Sequence, residues 1–193
     1  MDTQYIIVDL QQGSPEWHTW RSTGIGASDA PTIMGENPWK SPARLFSEKI
    51  GDVNPFASNA AMARGTDLEP EARKRYQSIS KVHVVPACLQ SKKYEWQIAS
   101  VDGLAVDGEL VVEIKCGDSV YQKTSSTRQV PGYYFGQLQH ILAVTGFPYI
   151  DFFCYLPGLP EVNLRIERND RYIKRLNIAE ESFWNRILRH RQA

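Results

Sequence analysis

With 193 residues, 42% of them apolar and 23% charged, the chain has the size of one globular domain over residues 1–193. Its core can be sizeable, and the composition excludes a disordered, collagenous or disulfide-stapled protein. Lys and Arg number 22, as do Asp and Glu, so the formal net charge is +0; this argues against indiscriminate coating of nucleic acid but leaves room for a local basic groove. No apolar run is long enough to span a bilayer, no leader resembles a signal peptide, and three scattered cysteines (Cys88, Cys116, Cys154) suit a reducing cytoplasm better than a disulfide framework or a thiolate zinc site.

Along the chain, Ser14-Pro15-Glu16 combines an N-cap residue, Pro at the first helical position and an acid in the first turn, predicting a helix that stops near Gly24. Ser28 before Asp29-Ala30-Pro31 offers a second cap, for a short helix ending at Gly35. Ser41-Pro42 starts a third, carrying Leu45, Phe46 and Ile50 and ending at Gly51. Asn59 to Tyr76 reads as a longer helix, kinked or restarted near Pro70 with Asp67 as the new cap. Val82–Val85 and Glu95–Ser100 read as strands. Gly117 to Gln129 is polar and without period, which predicts a mobile loop. Pro131 to Thr145 reads as a helix capped by Gly146, with Leu138, Ile141 and Leu142 on its core face. Tyr149–Leu156, nearly continuous in apolar residues, and Val162–Glu167 are further strands. Asn169 or Asp170 caps a last amphipathic helix carrying Ile173, Leu176, Phe183, Ile187 and Leu188. The sum is an α/β (α+β) fold, a central, mostly antiparallel sheet flanked by helices, without the order of a Rossmann array.

The densest chemistry lies in Ser100 to Lys115, two strands joined at Asp107-Gly108, a pair that favours a type I′ hairpin because both central residues need positive φ. A two-residue loop there sets Leu104 opposite Val111, Asp102 opposite Glu113 and Ser100 opposite Lys115. Alternation then gathers two carboxylates, an ammonium and a hydroxyl on one face, and leaves Leu110, Val112 and Ile114 on the other. Directly opposed carboxylates repel. A divalent cation such as Mg²⁺ relieves that repulsion, because hard cations take carboxylate and carbonyl oxygens. The competing reading is a solvated hairpin in which Lys115 offsets two acids that fell together by chance.

Asp102 followed by Glu113-Ile114-Lys115 matches the Asp…Glu-x-Lys signature of the restriction-endonuclease-like nucleases. More of the chain agrees with a narrower group: Ser14-x-x-Trp17-x-x-x-Arg21 with Gly26-Ala27-Ser28-Asp29; Arg64-Gly65-Thr66-Asp67-Leu68-Glu69; Ser100-Val101-Asp102-Gly103-Leu104; Glu113-Ile114-Lys115-Cys116; and Tyr134-x-x-Gln137-x-Gln139. With these five motifs in order, between about Gln11 and Leu156, the chain resembles the YqaJ-like viral recombinase nucleases, the family typified by the phage lambda 5′→3′ exonuclease.

The resemblance implies a restriction-endonuclease-like core with a mixed sheet, and roles for particular residues. Asp102, Glu113 and the Ile114 carbonyl would hold Mg²⁺, as a pair of ions for which Mn²⁺ can substitute, with Glu69 reaching the same ions and Glu71 as its competitor. Lys115 would position or deprotonate the attacking water and stabilise charge on the phosphate, and Gln137 would stand at the active site. Arg21, Ser28 and Ser100 resemble a pocket for the 5′-terminal phosphate, with Tyr134 on the DNA side of the helix carrying Gln137. Plainer readings compete: Glu69 as a first-turn acid, Ser28 as a cap, Arg21 as a surface charge, Tyr134 as core. The four histidines show no metal-ligand spacing. Trp17, Trp20, Trp39, Trp96 and Trp184 are spaced for core packing more than for stacking on bases. Lys123, Arg128 and the Arg171–Arg175 cluster divide evenly between DNA contact and solvation.

The function this implies is a Mg²⁺-dependent exonuclease of phage-type recombination. It would hydrolyse one strand of duplex DNA from a 5′ end and leave a 3′ single-stranded tail. The resemblance also implies a homotrimer around DNA, a single-strand annealing protein as partner, no membrane, and the bacterial host's cytoplasm if the chain is phage-encoded. Two alternatives stand beside it: a site- or structure-specific endonuclease of the same superfamily, and a module that binds DNA ends without cutting.

Overall fold

The computed structural model describes residues 3–54 and 60–192. Seven strands form one sheet: β1 (Tyr5–Val8), β2 (Ile25–Gly26), β3 (Val84–Ser91), β4 (Gln97–Ala105), β5 (Val111–Lys115), β6 (Tyr149–Cys154) and β7 (Val162–Glu167). Their order is β1-β3-β4-β5-β6-β7, with β2 joined to the side of β4. Pairing is antiparallel except at β2–β4 and β5–β6. Among the described residues seven helices accompany them: α1 (Pro15–Ser22), α2 (Ala30–Ile33), α3 (Pro42–Ile50), α4 (Ala60–Ser80), α5 (Asp118–Thr127), α6 (Gly132–Thr145) and α7 (Asp170–Gln192). No helix among the described residues is long and apolar enough to cross a membrane.

Two apolar layers hold the sheet. On one face Leu138, Ile141 and Leu142 of α6 pack on Val101, Leu104, Val111 and Phe152; on the other Ala72 and Tyr76 of α4 pack on Val84, Val112, Ile114 and Phe153. α6 and α4 therefore flank β4 and β5 from opposite sides, which decides where their polar side chains can meet. A smaller cluster, Ile25, Leu45, Phe46, Phe183, Trp184 and Ile187, ties α3 to α7.

Caps act as the sequence says at several ends. The Ser14 and Ser41 hydroxyls accept from Trp17 and Arg44, Gly51 and Gly146 close their helices at positive φ, and the Asn169 side chain accepts from Tyr172. Elsewhere the structure corrects the reading. Ser28 caps nothing: Ala27–Asp29 is a 3-10 turn in which the Asp29 carboxylate accepts from Gly26 N at 3.0 Å, and the Ser28 hydroxyl is left for Arg21. α4 runs on through Pro70 without a restart at Asp67, because Pro70 is exposed and the lost backbone bond is tolerated there; the start expected at Asn59 lies outside the described residues. The loop expected over 117–129 is α5, whose Val120, Tyr121 and Thr124 are buried, so tertiary packing overrides a polar sequence. Leu188, assigned to the core face of α7, is 37% exposed.

The hairpin keeps its expected register but not its expected turn. Gly103 pairs with Val112, Leu104 with Val111, and Ala105 N donates to Leu110 O at 2.8 Å. Only Gly108 in the loop has positive φ (73°), and Gly108 N donates to Ala105 O at 2.8 Å, so the chain reverses around Val106-Asp107 rather than in a two-residue type I′ loop. Pairing with β5 also stops at Gly103. On its other side β4 carries one extra residue: Leu104 faces Val85 and Val101 faces Ala87, so Asp102 and Gly103 together oppose Pro86. Below this bulge β4 leaves β5 and takes β2 instead, with Ser100 paired to Cys88 of β3 rather than set against Lys115.

Candidate active site

The parting of β4 from β5 opens the site. With no carbonyl opposite it, the Ile114 N–H is taken by the Asp102 carboxylate (Oδ2 at 2.7 Å), which pins that acid at the mouth of the fork. Glu113, the residue before Ile114 on β5, is buried; its Oε1 accepts from Lys115 Nζ at 2.6 Å and from Gln137 Nε2 at 2.5 Å, while its Oε2 is buried with no hydrogen-bond partner. Gln137 reaches it from α6, and Tyr134, one turn earlier, lies beneath Lys115, whose Nζ is 4.8 Å from the ring centroid. From α4 comes Glu69, bonded to Arg73 one turn on; the same Arg73 donates through Nε to the Asp102 carbonyl at 2.6 Å. Glu71 points away and accepts from the Tyr155 hydroxyl.

Electrostatics follow from this crowding. Burial, then the neighbouring Glu113 carboxylate, holds Asp102 well above the usual carboxylate range, against the pull of Lys115. Burial also raises Glu69, opposed by Arg73 and reinforced by Glu113. Burial would lower Lys115, but the Glu113 and Asp102 charges outweigh it, and the ammonium is held above its ordinary range. Three acids thus share two cations, and one buried carboxylate oxygen has no partner.

Those features fit a divalent cation. Glu113 Oε2 is a buried acceptor without a donor, and Asp102 is penalised for its charge. Among the described residues no three of His, Cys, Asp or Glu converge as a finished ligand cage, in keeping with Glu69 being turned onto Arg73.

A second polar group lies two residues up β4. The Ser100 hydroxyl accepts from Trp17 Nε1 at 2.8 Å, the Arg21 guanidinium lies 4.6 Å over the Trp17 ring, and Arg21 donates to the Ser28 hydroxyl at 2.9 Å. Nearby Asp29 is kept ionised below its ordinary range: burial opposes this, but Lys49, at 2.8 Å, and Arg21 prevail. Arg21, Ser28 and Ser100 are thus joined through Trp17, with Ser28 exposed. Arg73 is the residue the sequence reading missed; its spacing of four from Glu69 on one helix face was the available signal. Trp39, assigned to the core, is 68% exposed.

A family model described as the YqaJ-like viral recombinase domain matches residues 16–148, which include every site residue above. The chain belongs to that family. A YqaJ-family protein of Bacillus subtilis (strain 168), itself called YqaJ and uncharacterized, is 34% identical over 187 residues; they make up 94% of this chain but 59% of that protein. An alkaline exonuclease (LHK-Exo) from Laribacter hongkongensis has a crystal structure that superposes with a TM-score of 0.81 at 29% identity, covering 92% of this chain and 94% of that one. The same enzyme in complex with dAMP gives 0.82 at 30% identity over the same shares. Family and neighbours agree with the α/β fold read from the sequence, its mostly antiparallel central sheet flanked by helices.

Proposed function

We propose that this YqaJ-family chain is a Mg²⁺-dependent exonuclease that removes nucleotides from the 5′ ends of double-stranded DNA and leaves 3′ single-stranded tails. The observation that carries the reading is the buried, unpartnered Oε2 of Glu113, on a carboxylate that neighbours Asp102 and stands two residues along β5 from Lys115. Asp102, Glu113, the Ile114 carbonyl and, from α4, Glu69 would hold the metal. When bound, one or two such ions supply charge neutralisation, a more acidic water and stabilisation of the phosphate's leaving oxygen.

The chain's own groups then divide the work. Gln137 and Lys115 both occupy Glu113 Oε1, so Oε2 is the oxygen left to a metal. Lys115 keeps its proton while two acids face it, which suits holding charge on the phosphate rather than taking a proton from water. Arg73 acts as a positioning residue, holding Glu69 and the Asp102 backbone together. Arg21 and Ser28 would receive the 5′-terminal phosphate, with Ser100 fixing Trp17 beneath the guanidinium and Tyr134 flanking the strand being cut. The exonuclease activity and the dAMP complex named for the Laribacter relative support a deoxynucleoside monophosphate as product. The proposal extends to a homotrimer around the duplex and an annealing protein as partner, both carried by the family resemblance.

The test is a linear duplex with 5′-phosphates, labelled separately at each end, beside a covalently closed circle. In Mg²⁺ the linear DNA should lose its 5′ label first, as mononucleotides, and the circle should stay intact. Asp102→Ala should slow this by at least about 10²–10³-fold, the scale of losing one electrostatic stabiliser of a transition state. Cutting of the circle, or activity that survives EDTA, overturns the reading.

A further inference from the structure

One large aromatic side chain stands in solvent beside the site, and the backbone under it is fixed. Trp39 is 68% exposed. Its own N–H and that of Lys40 both donate to the Asn37 carboxamide oxygen (2.9 and 3.3 Å), and Asn37 in turn donates from Nδ2 to Thr32 Oγ1 at 2.9 Å. Glu36 N and Asn37 N close on Pro31 O at 2.8 and 3.1 Å. A mobile loop can carry an exposed tryptophan by default; a loop with this many internal bonds holds it at one place.

That place continues the catalytic centre. The Trp39 ring meets Tyr133 edge-on at 4.7 Å between centroids, Tyr133 meets Tyr134 at 4.8 Å, and Tyr134 lies 4.8 Å under Lys115 Nζ. Lys123 from α5 stands 5.3 Å over the Tyr133 ring and brings positive charge to the same path. Beside it Glu36, Pro38, Gly132, Tyr133 and Phe135 line a shallow depression wide open to solvent. Aromatic faces interleaved with a cation are the chemistry that takes single-stranded nucleic acid, since every base has a π-face and every phosphate a charge.

We propose that Trp39, with Tyr133 and Lys123, forms a base-stacking platform for an unpaired stretch of DNA next to the cleavage site. The proposal rests on the nuclease reading for its substrate, but its own measurement needs neither metal nor turnover. Fluorescence anisotropy of a labelled short oligodeoxyadenylate in EDTA reads affinity directly. Trp39→Ala should weaken binding roughly 5- to 150-fold, the equivalent of one stacked base, and Trp39→Phe should recover most of it. Irradiating the complex with an oligonucleotide carrying 5-iodouracil should cross-link the peptide that holds Trp39 or Tyr133. Both variants should melt with the wild type, because the ring is largely in solvent.

Unchanged affinity in Trp39→Ala overturns the platform, as does an equal loss in the Ala and Phe variants. A change in sedimentation without a change in affinity also overturns it and assigns the ring to contact with a second copy of the chain. If Trp39→Ala weakens binding while the wild type cleaves nothing, the proposed reaction fails and the platform stands. If cleavage is normal and affinity indifferent to Trp39, the platform alone fails.

Discussion

Glu113 Oε1 is bonded twice while its buried Oε2 is bonded by nothing. A buried acceptor left without a donor costs on the order of 1–3 kcal/mol, and the strain is shared with Asp102, whose charge burial and Glu113 both disfavour. Native proteins keep such a debt where function needs it. Two consequences follow for Asp102→Asn, whose amide oxygen can still accept from Ile114 N. Without metal, the variant should be more stable than the wild type by on the order of 1 kcal/mol, because one of the mutually repelling charges is gone. With millimolar Mg²⁺ or Ca²⁺, the wild type should gain in melting temperature and the variant should not, since a ligand stabilises only the state that binds it. Differential scanning fluorimetry in EDTA and in each metal reads both. A wild type indifferent to both cations would remove the metal from this site.

At the scale of elements, the device that aims Asp102 is the bulge it shares with Gly103. A Cβ on Gly103 would lie 2.6 Å from Val112 Cγ1 and 2.8 Å from Val84 Cγ2. Both valines are fully buried and stiff about χ1, so the neighbours cannot swing aside. Gly103→Ala should therefore cost about 1–3 kcal/mol in urea unfolding and, by shifting the bulge, lower the cleavage rate as well. A variant with wild-type midpoint and rate would mean that the bulge is compliant and does not aim the acid. The sequence could show the register here, because alternating apolar residues and Gly108 mark the hairpin, but nothing in Asp102-Gly103 announces an extra residue opposite Pro86. The same distinction holds elsewhere. Ends written locally, Ser41-Pro42 to Gly51 or Gly146 after α6, were legible. β1, four residues on the sheet's edge, and α5, helical because Val120, Tyr121 and Thr124 find a core to cover, depend on partners far along the chain. The candidate site divided likewise: its members stood in motifs, but the Arg73 bond to the Asp102 carbonyl and the Trp17–Ser100 bond appear only once α4 and α1 are docked.

At the scale of the whole molecule, one buried histidine joins the site's helix to α7 by an ion pair and to the strand beneath it by a hydrogen bond. His140 of α6 is fully buried; its Nδ1 is 2.7 Å from Glu180 of α7 and its Nε2 is 2.9 Å from the Ile98 carbonyl of β4. Nε2 faces a carbonyl oxygen and therefore donates, while Nδ1 faces the Glu180 carboxylate, an arrangement that favours the imidazolium. Burial favours the neutral ring, yet the Glu180 carboxylate and these two hydrogen bonds together hold the pKa above its ordinary 6.5. The folded chain therefore binds this proton more tightly than the unfolded one. The stability it contributes is complete below pH 6.5 and is lost as pH rises through the folded value. Buried Cys116 and Cys154, pushed up to about 12 and about 11, add a similar loss, but only above their ordinary value of 9.0, where unfolded thiols ionise first. Glu180→Gln should accordingly cost about 3–5 kcal/mol near neutral pH, where it leaves a buried cation half-paired. It should also flatten the fall of stability over the interval above His140's ordinary pKa of 6.5, relative to the wild type. Urea titrations of both proteins across that interval measure it. Parallel curves would show that His140 is neutral in the fold.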